Sequence, residues 1–258
     1  EAAKRRRLEF QNEEDIAVLC RGDAGSWNLR GAVRGRLISF GFEPLPAGET
    51  GTWLDGTLLR LQDGGWQAAL MERPAIQLRG DHNVLNVLAA FAIGHAAGLP
   101  REAMQAAAAD FQGVPHRLEF VGEHHGANWY NDSIASTPER TMADIRSFDE
   151  PIVLLLGGRD KKLPWDELVA LCRERVDHVI LFGEAGELIA RAFGSVVNGQ
   201  RPQSIERCQG LEEAVAAAAR TAQAGDVVLL APGGTSFDEF RDFEERGERF
   251  RQWVAQLS

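Results

Sequence analysis

Two stretches of this chain combine residue types that bind anions. Gly157-Gly158-Arg159-Asp160-Lys161 and Ala231-Pro232-Gly233-Gly234-Thr235-Ser236-Phe237 bring flexible backbone, an ammonium group and two hydroxyls to the ends of apolar runs. Paired glycines permit close approach of a ligand, and a lysine holds a carboxylate through a charge-assisted hydrogen bond. A loop of small residues that opens a helix offers N–H groups and hydroxyls to the same kind of anion. The plainer reading of the first stretch is a surface turn with solvated charges, since Gly and Asp are ordinary turn residues. Three further segments carry polar groups at expected element ends. Asp81-His82-Asn83 with Asn86 can hydrogen-bond the edge of a planar heterocycle, or simply cap a helix. His116-Arg117 is ambiguous by itself. Asn131-Asp132-Ser133 follows an apolar pair, where an acidic residue can accept ribose hydroxyls.

Lysine occurs only at Lys4, Lys161 and Lys162, with arginine in the other cationic positions. The retained lysines stand out because an ammonium is compact and can lose its proton, whereas a guanidinium stays charged and planar.

The elements that must position these groups fall into two styles. From Ile16 to Leu70, short apolar runs (Ile16-Ala17-Val18-Leu19, Leu37-Ile38-Ser39-Phe40, Trp53-Leu54-Asp55) alternate with glycine turns such as Gly64-Gly65, which predicts strands and hairpins. From Asp81, taken as an N-cap, Val84, Leu85, Val87, Leu88, Phe91 and Ile93 surround small alanines and predict a buried helix ending near Gly98-Leu99-Pro100. A second helix runs from about Arg101 to Phe111. Gln112-Gly113-Val114-Pro115 then marks a junction, giving expected domains 1–113 and 114–258.

Beyond it, apolar strands at 152–156, 178–182 and 226–230 alternate with helices near 165–174, 184–193 and 211–222, and a last helix runs from about Phe237 to Leu257. Ser136-Thr137-Pro138-Glu139 reads as a helix start with S-x-x-E capping and an early proline. Fully apolar strands between helices predict a parallel sheet covered on both faces, a Rossmann-like doubly wound domain. In such sheets ligands lie beyond the carboxyl ends of the strands, so the two loops at 157–161 and 231–236 should line one site.

Of 258 residues, 44% are hydrophobic and 26% charged, a core-forming composition with room for two domains. A formal charge of −10 argues against nucleic acid as a partner. Cys20, Cys172 and Cys208 have no metal-ligand spacing and suit a reducing compartment, and no apolar run reaches bilayer length. A cytoplasmic location without membrane association is expected.

In order and spacing the segments resemble the Mur ligase family, and the S-F-D-x-F-x-x-F-x-x-R-G-x-x-F ending from Ser236 is similar to that of its D-glutamate-adding members. The resemblance implies an α/β fold: the last part of a central ATPase domain, of mixed strands and helices, followed by a Rossmann-like C-terminal domain. It implies ATP and Mg2+ as cofactors, and UDP-N-acetylmuramoyl-L-alanine and glutamate as substrates of a monomeric ligase acting through an acyl phosphate. It places His82, Asn83, Asn86, Arg117 and Asp132 around ATP. It places Ser136, Lys161, Thr235, Ser236, Phe237 and Phe243 around glutamate, and makes Lys4, in Ala2-Ala3-Lys4, a carbamylated lysine at the magnesium site. Ile134 stands where many members carry lysine and is left out of the site. The 258 residues contain no G-x-x-G-K-[ST] phosphate loop, so this stretch alone is expected not to hydrolyse ATP. Two other readings stay open: a sister ligase of folylpolyglutamate type, and a non-catalytic Rossmann-like binding module. The choice between D- and L-glutamate is not contained in the residues.

Overall fold

The computed structural model describes residues 2–195 and 199–257, without the side chains of residues 2–4 and 7. The chain divides into two compact units, Glu1–Gln112 and Gly113–Ser258.

The first unit holds a five-stranded sheet of β1 (Ile16–Cys20), β2 (Arg36–Gly41), β3 (Gly51–Asp55), β4 (Leu58–Asp63) and β5 (Trp66–Glu72), in that spatial order. The expected strands and hairpins are both present, but the hairpins join β3, β4 and β5, whereas β1, β2 and β3 run parallel. Alternation of apolar residues marks a strand but is silent about its partner's direction. Preceding the sheet is α1 (Ala2–Glu9), and a short α2 (Ala24–Trp27) lies between β1 and β2. Helix α3 (Asp81–Ala96) buries Val84, Val87, Leu88 and Phe91 against Leu59, Leu61 and Leu70, and α4 (Arg101–Asp110) adds Met104. The N-cap of α3 is Gly80 at φ 85°, not Asp81, whose carboxylate pairs instead with Arg73.

The second unit is a six-stranded sheet. Its strands are β6 (Glu119–His124), β7 (Ala127–Asn131), β8 (Ile152–Gly157), β9 (His178–Phe182), β10 (Ser204–Arg207) and β11 (Val227–Gly233), ordered β10-β9-β8-β11-β7-β6. All neighbours are parallel except β6 against β7. The pleat sends successive residues to opposite faces. Ile152, Leu154 and Leu156 enter one core with α5 (Pro138–Ile145), α6 (Asp166–Arg175) and α7 (Gly186–Phe193). Val153 and Leu155 enter the other with α8 (Leu211–Thr221) and α9 (Phe243–Ala255). The doubly wound fold is therefore observed. Because β8 continues into α6 on one face and β11 leads to α9 on the other, their carboxyl ends form the switch point where such folds bind ligands.

Helix α9 begins at Phe243, later than the expected Phe237. Asp242 adopts extended backbone and its side chain accepts a 2.7 Å hydrogen bond from Glu245 N, a stronger start than anything at 236–238. The turn 237–242 thus separates the small-residue loop from the helix, and the α9 N-terminus does not open that loop.

Candidate functional site

At the switch point the two loops are joined by backbone. Arg159 N donates to Thr235 O (2.8 Å) and Thr235 N to Arg159 O (2.9 Å), a one-rung antiparallel bridge. The glycines serve this contact. A Cβ on Gly158, at φ 88°, would stand 2.2 Å from Thr235 O, so the space saved is filled by the neighbouring loop and not kept for a ligand as the sequence suggested. Gly158→Ala is accordingly expected to lower the unfolding midpoint by about 5 °C or more in a thermal melt, combining strained φ with a backbone clash.

The bridge orders the cation that follows it. Lys161 Nζ donates to Ser136 Oγ at 2.9 Å, and both groups are accessible to solvent. Arg159, by contrast, is committed to Glu184 through two 2.9 Å hydrogen bonds. Ser136 was expected to cap α5. The N-cap position belongs to Thr137, without a side-chain hydrogen bond, which leaves the Ser136 hydroxyl to meet the lysine. Thr235 is half-buried beside this pair's loop, with its hydroxyl 3.4 Å from Arg159 O. Phe237 is 59% exposed, while Ser236 is only 2% exposed and its carbonyl closes the turn by accepting from Glu239 N and Phe240 N.

Arg246, to which the sequence analysis gave no role, holds these segments together. It is 0% exposed, yet among the described residues no carboxylate meets its guanidinium directly. Nε donates to Ser133 Oγ (3.0 Å), Nη2 to Ser133 O (2.8 Å), and both Nη atoms to Gly234 O (3.2 Å). One side chain thereby ties the end of β7 to the end of β11. Burial pushes the guanidinium down to about 10, with Asp238 and Glu239 acting in the opposite direction, so it stays charged at neutral pH. The next residue, Gly247, admits the imidazole of His116: a Cβ there would lie 2.1 Å from His116 Nδ1. His116 also faces Phe243 edge-on at 6.3 Å, and its Nδ1 lies 3.0 Å from Asn131 Nδ2. Phe243, which the resemblance places around glutamate, is the first residue of α9 and stands half-buried against His116. Ile134 N donates to His116 O at 3.2 Å, and Arg117 stands exposed on the same turn. A glycine inside a helical pattern, preceded by arginine, was the available signal for this hub.

Asp132 is 4% exposed and faces Asp144 of α5, also 4% exposed. Its carboxylate therefore lies in the interior, where the sequence analysis expected it at a nucleotide's ribose.

In the first unit, Asn83 is buried, its Nδ2 donating to Arg79 O (2.7 Å) and its Oδ1 accepting from Asn86 Nδ2 (3.2 Å). These bonds fasten the start of α3. Asn86 also lines a cavity of about 420 Å3 between α3 and α4, otherwise apolar and walled by Val87, Phe91, Leu99, Met104 and Phe111. His82 is half-buried on the same turn. The backbone of Lys4 belongs to α1, but its side chain lies outside the described residues. Among the described residues no three His, Cys, Asp or Glu side chains cluster as metal ligands, and no helix is long and apolar enough to cross a membrane.

Comparison with known proteins agrees with this architecture. Residues 116–234 match the family described as Mur ligase, glutamate ligase domain. The UDP-N-acetylmuramoylalanine–D-glutamate ligase of Acetivibrio thermocellus is 36% identical over 99% of this chain and 55% of its own length. The enzyme of the same name from Syntrophus aciditrophicus is 37% identical over 98% of this chain and 54% of its own. The chain thus spans about half the length of the curated relatives it matches. Among solved structures, MurF ligase from Thermotoga maritima in complex with ADP superposes with a TM-score of 0.62 at 19% identity, over 97% of this chain and 56% of that one, which speaks for the fold alone. Residues 116–234 thus belong to the glutamate ligase domain of the Mur ligase family, and the chain as a whole is similar to about half of each of these D-glutamate ligases.

Proposed function

We propose that this chain forms the amino-acid-binding and nucleotide-facing part of an ATP-dependent ligase that joins D-glutamate to the terminal carboxylate of UDP-N-acetylmuramoyl-L-alanine. The setting is peptidoglycan precursor synthesis by a cytoplasmic monomer. One observation carries the reading: the Lys161 ammonium and the Ser136 hydroxyl, 2.9 Å apart at the carboxyl edge of β8, form a paired donor set suited to a carboxylate. Thr235 and Phe237 extend that rim, Phe243 walls it, and Ser236 supports it from within. His82, Asn83 and Asn86 on α3 serve the nucleotide base, and the exposed Arg117 serves the nucleotide as a cation.

In this chemistry ATP converts the acceptor carboxylate to an acyl phosphate, and the free amine of glutamate attacks that carbonyl and expels phosphate. The residues of this chain contribute position, which is most of what such a reaction requires. No side-chain nucleophile is involved. Burial pushes the Cys172 thiol up to about 12, and burial with Glu213 and Glu206 pushes Cys208 up to about 11, so neither supplies a thiolate. Magnesium belongs to the same proposal through Lys4. Among the described residues no three His, Cys, Asp or Glu side chains cluster to hold it without that lysine.

The test is phosphate release by the full-length protein containing this chain, given ATP and UDP-N-acetylmuramoyl-L-alanine with one amino acid at a time. D-glutamate alone is expected to drive release. Preference for another amino acid, or glutamate addition to a folate acceptor, would replace this reading with a sister ligase. No amino-acid-dependent release with any acceptor would leave a binding module.

A further inference from the structure

Asp144 lies in the last turn of α5, on the helix face that takes Thr141, Met142 and Ile145 into the interior. It meets Asp132, which follows β7, with the two carboxyl groups in hydrogen-bonding range. Asp132 Oδ1 and Asp144 Oδ2 are both buried without a donor. Ionised carboxylates only accept, so two of them in contact would be left with lost hydration and mutual repulsion. One proton between them removes both penalties.

We infer that Asp132 and Asp144 share a single proton, with Asp144 the donor, and that Asp144 thereby acts as a positioning residue locking the β7–α5 turn that presents Ser136 to Lys161. The inference is independent of which amino acid or nucleotide the site takes. The surroundings agree with it. The charges acting most on the pair are Arg117, before β6, and Arg140 on α5, both exposed to solvent. Leu118 N donates to Asp132, which favours leaving the negative charge on that partner. The elements packed on α5 add apolar neighbours to the same core, Ala231 from β11 and Leu168 and Val169 from α6. Burial first, and Asp132 second, push Asp144 up to about 10, while burial also raises Asp132. The two titrate as a unit.

An acid whose folded value lies above its unfolded one binds an extra proton in the folded state. Its stabilising effect is complete below about pH 4, declines as pH rises, and is gone above about pH 10. Carboxyl 13C NMR of the chain, with thermal unfolding from about pH 6 to about pH 9, tests this. One aspartate resonance that stays protonated at neutral pH and titrates above about pH 8 is expected in the wild type and absent from Asp144→Asn. The wild-type midpoint is expected to fall by roughly 3 °C per pH unit, a slope that Asp144→Asn flattens, since its amide still donates to Asp132. Asp144→Ala, lacking a donor, should melt lower at every pH. Aspartate resonances that all titrate below about pH 6, or identical slopes for wild type and Asp144→Asn, would overturn the shared proton.

Discussion

Replacing Lys161 with methionine is expected to weaken glutamate binding by about 10- to 100-fold, the loss of one charge-assisted hydrogen bond. Titration calorimetry with D-glutamate would measure it. Lys161 is exposed and, among the described residues, its side chain hydrogen-bonds to Ser136 alone, so the unfolding midpoint should not move. That separation identifies a binding defect. Lys161→Arg should fail almost as badly, because the planar fork cannot keep the ammonium's contact with Ser136 and still meet a carboxylate at the same point. Ser136→Ala removes only the neutral partner and is expected to cost less, about 3- to 10-fold. Equal affinity in wild type and Lys161→Met would remove the lysine from the site.

Arg246→Met should have the largest effect on stability, about 3 kcal/mol, or a fall of roughly 10 °C in the unfolding midpoint. The guanidinium is wholly buried, and its loss leaves Ser133 O and Gly234 O without the donors they have now. Some of that cost is offset, because the mutant no longer strips water from a charge. The offset is incomplete: the stranded carbonyls keep their own desolvation penalty. Arg246→Lys should rescue little, since one ammonium cannot reach both strand ends along the same directions. Urea unfolding of the chain would settle the size. A midpoint within about 2 °C of wild type would show that the two strand ends are held by other contacts. The variant should also loosen glutamate binding, because Gly234 adjoins Thr235 in the bridge that sets the Lys161 loop.

Much of the second unit was legible in the chain. Ile152-Val153-Leu154-Leu155-Leu156 and its counterparts have no polar face, and only burial on both sides accommodates such strands, so the layered fold follows from composition. The start of α9 was misread because a small-residue loop resembles a helix entry. The stronger cap at Asp242 won, moving Phe237 to an exposed turn and Phe243 to the flank of His116. In the first unit the strands were legible but their parallel order was not, since pairing direction depends on connections and not on alternation.

By its sequence alone this protein determined its central strands and which chemical groups stand near their ends, because hydrophobic periodicity and glycine placement are local properties, although β11 runs on to Gly233 where its end was expected at Leu230. Only the tertiary structure decided which of those groups meet. Lys161 and Ser136 are 25 residues apart, and Arg246 lies 113 residues beyond Ser133, separations that no local pattern encodes. The glycines at 157–158 looked like room for a ligand and proved to be room for the end of β9 and for another loop. Asp132 looked like a surface acceptor and proved to be half of a buried pair, because burial and the identity of the facing side chain arise only when β7 and α5 pack.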